Sequence, residues 1–159
     1  MADESDYVLV DDDILFYDEI LTIDDKTSIE ESVKKYNKNI KVLEINNFKF
    51  KPGDFKLLFG YLINTSIETI TIDNCVFYCD DNVEFLHLCN NNVKNLTVTN
   101  CETGYEFLFY IGDVISIGNK IECLNIIGMK FMKYELFRFE EIIKENKTIK
   151  SANIVMHST

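Results

Sequence analysis

The 159-residue chain has no tryptophan, one proline (Pro52) and six glycines. Such scarcity excludes a collagen-like or linker-like composition. No apolar run approaches the roughly 18 residues that a membrane span requires. The N-terminus, MADESDYVLV, places no basic residue ahead of an apolar stretch, so no secretory signal is expected. Five cysteines, an odd number, without such a signal point to reduced thiols rather than a disulfide framework. A cytoplasmic or nuclear location is the resulting expectation. Also missing are a phosphate-cradling glycine loop, HExxH, GxSxG and a kinase signature.

What is present is ordinary for a folded domain: 47% hydrophobic and 27% charged residues. The length suits one domain with a real core. Charge, however, is unevenly placed. Residues 1–32 hold 12 of the 27 acids and only Lys26 as a base, a balance of 1 − 12 = −11. The remainder has 15 acids against 15 Lys and Arg, so the formal charge of −11 belongs wholly to the N-terminal segment. That segment would repel phosphates, and no nucleic-acid partner is expected. A solvated acidic leader is the plainer account of it; a contact for a basic partner is the sharper one.

The main feature of the sequence is an internal repeat. IKVLEINNFKF begins at Ile40, IETITIDNCVF at Ile67, VKNLTVTNCET at Val93, IECLNIIGMKF at Ile121 and IKSANIVMHST at Ile149. The starts are 27, 26, 28 and 28 residues apart. Positions one, four and six are apolar in every unit: Ile40, Leu43, Ile45; Ile67, Ile70, Ile72; Val93, Leu96, Val98; Ile121, Leu124, Ile126; Ile149, Ala152, Ile154. Positions four and six lie two apart and so share one side of a strand. An aromatic occupies position eleven as Phe50, Phe77 and Phe131, with Thr103 breaking the row.

The second half of each unit changes period. Leu58, Tyr61, Leu62, then Phe85, Leu88, Cys89, then Ile111, Val114, Ile115, then Phe139, Ile142, Ile143 keep the three-and-four spacing of a helix face. Gly112, Gly118 and the β-branched Val114, Ile115 and Ile117 predict that the third of these helices is short or irregular. Each unit thus reads strand, loop, helix. Stacking places the strands in one parallel sheet with helices behind it.

The pattern resembles the leucine-rich repeat, LxxLxLxx(N/C)xL, over residues 37–159, about four and a half units of 26–28 residues. Unit length is similar to the ribonuclease-inhibitor and cysteine-containing F-box-associated subclasses, with degenerate repeats. The resemblance implies an α/β solenoid, its parallel sheet on the concave face and helices on the convex face. It also implies that Cys75 and Cys101, at the ninth position, bond to loop backbone of neighbouring units; Phe48, Met129 and His157 depart from the family there. Residues 1–36 match no full unit and read as an acidic leader and capping segment. In it ILFYDEILTI supplies strand material, and TSIEESVKKY a helix capped by Thr27 or Ser28.

Chemistry is harder to find. Cys75, Cys79, His87, Cys89 and Cys101 fall within 27 residues, yet CxxxC and HxC are not the paired spacing of structural zinc. No metal, cofactor or catalytic residue is therefore expected. Cys123, at an odd strand position, is expected to be an accessible thiol, with neither His87 nor His157 obviously placed to activate it. The sequons at Asn64, Asn95 and Asn146 read as turn or strand polar residues.

Odd strand positions point away from the helices. Row three is Val42, Thr69, Asn95, Cys123, Ser151; row five is Glu44, Thr71, Thr97, Asn125, Asn153; row seven is Asn46, Asp73, Thr99, Ile127, Val155. A solvated sheet face explains the threonines as well as binding does. By analogy with solenoids, the partner-binding candidates are Glu44, Asn46, Thr71, Asp73, Thr97, Thr99, Asn125, Ile127, Asn153 and Val155. Glu44 and Asp73 would guide a basic partner; Ile127 and Val155 would anchor an apolar one. The expected function is a non-catalytic protein–protein interaction module binding another protein, with no membrane partner. A structural subunit of a larger assembly and a substrate-recognition arm of a ubiquitin ligase are the alternatives.

Overall fold

The computed structural model describes residues 19–34, 39–78, 83–104, 106–117 and 120–157. Most of the acidic leader and Cys79 lie outside them. The first described elements are strand β1 (Ile20–Ile23) and helix α1 (Ile29–Lys34). Four strand–helix units follow: β2 (Val42–Asn46) with α2 (Asp54–Leu62), β3 (Thr69–Asp73) with α3 (Val83–Asn91), β5 (Asn95–Thr99) with α4 (Phe107–Ile117), and β7 (Cys123–Met129) with α5 (Lys133–Glu145). Strand β8 (Ser151–Met156) closes the order. The two-residue strands β4 (Val76–Phe77) and β6 (Glu102–Thr103) pair with each other in a small second sheet.

The main sheet has the order β1-β2-β3-β5-β7-β8, and every neighbouring pair is parallel. The fold is therefore mixed α/β, and its helical crossovers are what parallel strands require. Equivalent repeat positions face one another: Leu43, Ile70, Leu96 and Leu124 in one column, and Ile45, Ile72, Val98 and Ile126 in the next. All eight are essentially inaccessible to water. Ile40, Ile67, Val93 and Ile121 are buried ahead of them, and Leu58, Leu62, Phe85, Leu88, Ile111, Val114 and Phe139 close the core from the helices. Each such side chain contributes about 1.5–3 kcal/mol of transfer free energy.

Strand β1 extends the sheet beyond the residues that match a full unit. Its Ile20–Ile23 pairs in register with Val42–Ile45, and Leu21 and Ile23 are fully buried. Ser28, rather than Thr27, caps α1: Ser28 Oγ accepts the Glu31 N–H at 3.2 Å, and the Ser28 N–H reaches the Glu31 carboxylate at 3.5 Å. This is a reciprocal capping box.

Two expectations from sequence need correction. The helix at Phe107–Ile117 is neither short nor interrupted; its 11 residues exceed the 9 of α2 and of α3. Phe107, Leu108, Ile111, Val114 and Ile115 are all buried, and this wide apolar face outweighs the weak propensities of Gly112 and the β-branched residues. Gly112 also has a packing reason, since a Cβ there would lie 3.1 Å from Ile142 Cδ1 on α5. Tyr61, placed on the apolar face by its spacing, is instead 48% exposed. The break in the aromatic row at Thr103 stands, and a helix residue meets the gap: Phe107 packs edge-on to Phe77 at 5.6 Å, continuing the Phe50–Phe77 contact at 6.0 Å.

Two further columns run across the units. At position eight, Asn47, Asn74, Asn100 and Gly128 all take positive φ, at 54°, 51°, 52° and 71°. Asparagine and glycine are the residues that visit this left-handed region most readily. There the Asn47, Asn74 and Asn100 N–H groups donate to the carbonyls of Asp73, Thr99 and Ile127 at 2.9–3.0 Å. At position two, one step before each strand, stand Lys41, Glu68, Lys94, Glu122 and Lys150, and Glu19 occupies the same place before β1. Charge alternates along all six. Lys94 bridges Glu68 at 3.2 Å and Lys150 bridges Glu122 at 2.7 Å. Exposed pairs of this kind are individually weak, but a slipped strand would part Lys94 from Glu68 and Lys150 from Glu122.

Both columns give testable outcomes. Gly128→Ala should lower stability in urea unfolding by about 1–3 kcal/mol, because φ is +71° and the new Cβ meets Asn100 Oδ1; an unchanged midpoint would contradict the turn. The hydrogen bond from Lys150 holds the Glu122 carboxyl below the usual carboxylate range, with Lys94 adding a smaller effect. A depressed folded value means the contribution exists above the unfolded pKa and is lost as pH falls through the folded one. Lys150→Met should raise the Glu122 midpoint in a carboxyl-carbon NMR titration, and no movement would show that the pair does not form in solution.

Candidate interaction surface

The side of the sheet away from the helices is built by strand alternation. Register sets its rows. Val42, Thr69, Asn95, Cys123 and Ser151 form the first; Glu44, Thr71, Thr97, Asn125 and Asn153 the second; Asn46, Asp73, Thr99, Ile127 and Val155 the third. The ten sequence-derived candidates thus occupy two adjacent rows across five strands. Glu44, Asn46, Thr71, Asp73, Thr97, Thr99, Asn125 and Ile127 are half-buried, while Asn153 and Val155 on β8 are exposed.

Several of these side chains are held by lateral hydrogen bonds between strands. Asn95 Nδ2 donates to Thr69 Oγ1 at 3.2 Å, and Asn125 Nδ2 donates to Thr97 Oγ1 at 3.2 Å. Thr99 Oγ1 donates to Asp73 Oδ1. Short side chains fixed this way lose little further rotamer freedom on contact with a partner, which lowers the cost of binding. The surface is graded: carboxylates Glu44 and Asp73 lie on β2 and β3, hydroxyls and amides fill the middle, and Ile127 and Val155 stand on β7 and β8. Sequence reasoning placed every row but did not see that Asn95 and Asn125 serve their neighbours. An Asn following a Thr by 26 or 28 residues is the signal that was available.

The described cysteines divide into two environments. Phe48 N–H donates to Cys75 Sγ and Cys75 N–H to Cys101 Sγ, both at 3.4 Å. The Cys75 thiol lies within donating distance of the Ile45 and Asp73 carbonyls, and the Cys101 thiol of the Ile72 and Thr99 carbonyls. These two residues therefore tie adjacent units together at buried backbone. Contact with Cys75, followed by burial, raises the Cys101 thiol well above its ordinary range; burial alone raises Cys89. Both stay protonated at neutral pH. Cys123 differs, half-exposed on the open sheet face. Among the described residues no three His, Cys, Asp or Glu side chains gather as a metal site. No helix among them is long and apolar enough to cross a membrane.

Parallel strand–helix units thus stand in register, and Cys75 and Cys101 join neighbouring units. The chain is 26% identical over 130 residues to the mouse protein "NACHT, LRR and PYD domains-containing protein 4B". The match covers 77% of this chain and 15% of that much longer protein. The likeness supports a relationship of the leucine-rich-repeat type. No family model and no solved structure matches the chain.

Thiol chemistry offers a direct check on the sheet's two sides. Brief iodoacetamide treatment of the folded protein, followed by peptide mass mapping, should label Cys123 and leave Cys75, Cys89 and Cys101 unmodified until denaturant is added. Early labelling of Cys89 or Cys101 would contradict the packing.

Proposed function

We propose that the protein is a short leucine-rich-repeat solenoid and a non-catalytic interaction module. It binds another protein through the sheet face opposite its helices. The observation that carries this reading is the fixed register of five strands, which presents two continuous rows of short, partly exposed and mutually hydrogen-bonded side chains. Such a face offers many weak contacts in a preset geometry and no paired titrating groups for catalysis. Its charge gradient favours a partner with a basic region over Glu44 and Asp73 and an apolar one over Ile127 and Val155. The similarity to a mouse protein whose name includes leucine-rich repeats supports the same class of role.

A second reading, a structural subunit of a larger assembly, is favoured by the opposite side. The helices expose Tyr61, Ile117, Tyr134 and Phe137, large apolar side chains that a neighbouring subunit would cover.

Affinity capture from the native source, using wild type beside Glu44→Lys/Asp73→Lys and Ile127→Glu/Val155→Glu, separates these readings. A partner recovered by wild type should be lost or weakened at least tenfold with one or both double variants, while folding is unchanged. If every captured protein ignores both pairs, the sheet-face proposal fails; dependence on residues 1–32 alone would move the contact to the acidic leader.

A further inference from the structure

At the strand exits, hydrogen bonds lace the first three strand–helix units together. Phe48 donates its N–H to Cys75 Sγ, Cys75 donates to Cys101 Sγ, and Glu102 donates to the Cys75 carbonyl. The pairing of β4 with β6 lies in the same layer. Between the third unit and the fourth the lacing stops. Among the described residues, no hydrogen bond joins residues 101–104 to residues 129–132. Two features account for the break. Met129 stands where Cys75 and Cys101 stand in their own units, leaving no thiol to accept the Cys101 N–H, and β7 is irregular between Ile127 and Met129.

The parted loops leave an open cleft of about 280 Å³, lined by Thr103, Gly104, Lys130, Phe131, Met132 and Glu135. A water molecule's share of liquid volume is about 30 Å³, so the cleft has room for a larger occupant. Glu135, in the first turn of α5, is only 3% exposed. Its Oε2 accepts the Met132 N–H at 2.9 Å, while Oε1 is buried with no hydrogen-bond partner. Helix capping therefore explains one oxygen of this carboxylate and not the other. A buried carboxylate oxygen without a donor is costly and uncommon in folded proteins. Lys130 lines the same cleft but makes no ion pair with Glu135.

We propose that this cleft binds an alkyl cation, the ammonium or guanidinium end of a lysine-like or arginine-like chain, whose N–H donates to Glu135 Oε1. A charge-assisted bond of this kind is the strongest that a carboxylate oxygen accepts. The Thr103 hydroxyl, on the loop of the third unit, offers a second acceptor. Phe131 and Met132 supply apolar surface for the methylene stem. Met132 is 47% exposed and unbranched, and its side chain yields to admit the head group to the buried oxygen. Lys130 carries the same charge as the ligand and weakens its binding. None of the lining residues belongs to the ten candidates on the sheet face, so the cleft is a separate site. Two sources carry the shared chemistry: a basic side chain of another protein, or a free amine.

The test is an NMR titration of the full chain at constant ionic strength, following carboxyl carbons and backbone amides. The probes are N-acetyl-lysine methylamide, N-acetyl-arginine methylamide and butylammonium, with N-acetyl-norleucine methylamide as the uncharged control. The expected result is a saturable shift of the Glu135 carboxyl with a cationic probe and none with the norleucine control. Glu135→Gln keeps an oxygen for the Met132 N–H and should weaken binding at least tenfold. Lys130→Met leaves Glu135 in place, removes the repelling charge and should tighten binding by about threefold; it decides the matter if Glu135→Gln fails to fold. Tighter binding of a capped residue than of butylammonium assigns the cleft to a protein side chain, and equal binding assigns it to a free amine. A Glu135 signal that no cationic probe moves, a norleucine control that binds as well as lysine, or full affinity in folded Glu135→Gln overturns the proposal. So does unchanged or weaker binding in Lys130→Met. Binding seen only in Lys130→Met overturns it too, because Lys130 is then the occupant. The Glu44→Lys/Asp73→Lys variant should titrate like wild type, which keeps this result independent of the sheet face.

Discussion

Because side chains alternate along a strand, a one-residue slip anywhere in the main sheet would turn Leu43, Ile70, Leu96 or Leu124 to solvent and bring Glu44, Thr71, Thr97 or Asn125 into the core. Register is thus the constraint on which the rest of the molecule depends. The buried columns specify it most strongly, through apolar area. The alternating charges from Glu19 to Lys150 repeat the same instruction at the strand entrances, where water weakens each pair but mismatches would accumulate. At the strand exits, the left-handed Asn47, Asn74, Asn100 and Gly128 turn the backbone so that Cys75 and Cys101 meet the next unit. Local conformation and global stacking agree at both ends of each strand, the consistency expected of a well-specified fold.

The strands were legible because their signal is both periodic and repeated. Ile–x–x–Leu–x–Ile recurs at 26–28 residues, and five copies in line leave few other pairings. Cys75 and Cys101 were legible through their place in the unit. Helix α4 was not, since local propensity argues against Gly112 and its β-branched neighbours while the deciding contact, Ile142 against Gly112, lies 30 residues away. The same holds for Phe107, which fills the place of a residue four positions earlier from a different element. Tyr61 misled because spacing alone does not distinguish the core face of a helix from its flank. The charge and position-eight columns were readable in principle: each is one residue per unit, seen only when units are aligned vertically.

The candidate surface follows from the same constraint. Residues that face away from the core in a registered sheet fall into rows whether or not selection has shaped them for a ligand. What distinguishes these rows is their content. Threonine and asparagine bond sideways across strands at Thr69–Asn95, Asp73–Thr99 and Thr97–Asn125, which stiffens the centre, while the ends differ in charge and polarity. The proposed function accordingly places contact with a partner along the stack of units, not at a single pocket.

Parallel, in-register stacking is most directly tested by cross-strand proton contacts in solution NMR. The Asn95 amide proton should contact the Glu68–Thr69 segment, and the Cys123 amide proton the Lys94–Asn95 segment, as the hydrogen bonds to the Glu68 and Lys94 carbonyls require. Close Hα–Hα contacts between facing residues of these strands, the mark of antiparallel pairing, would contradict the account.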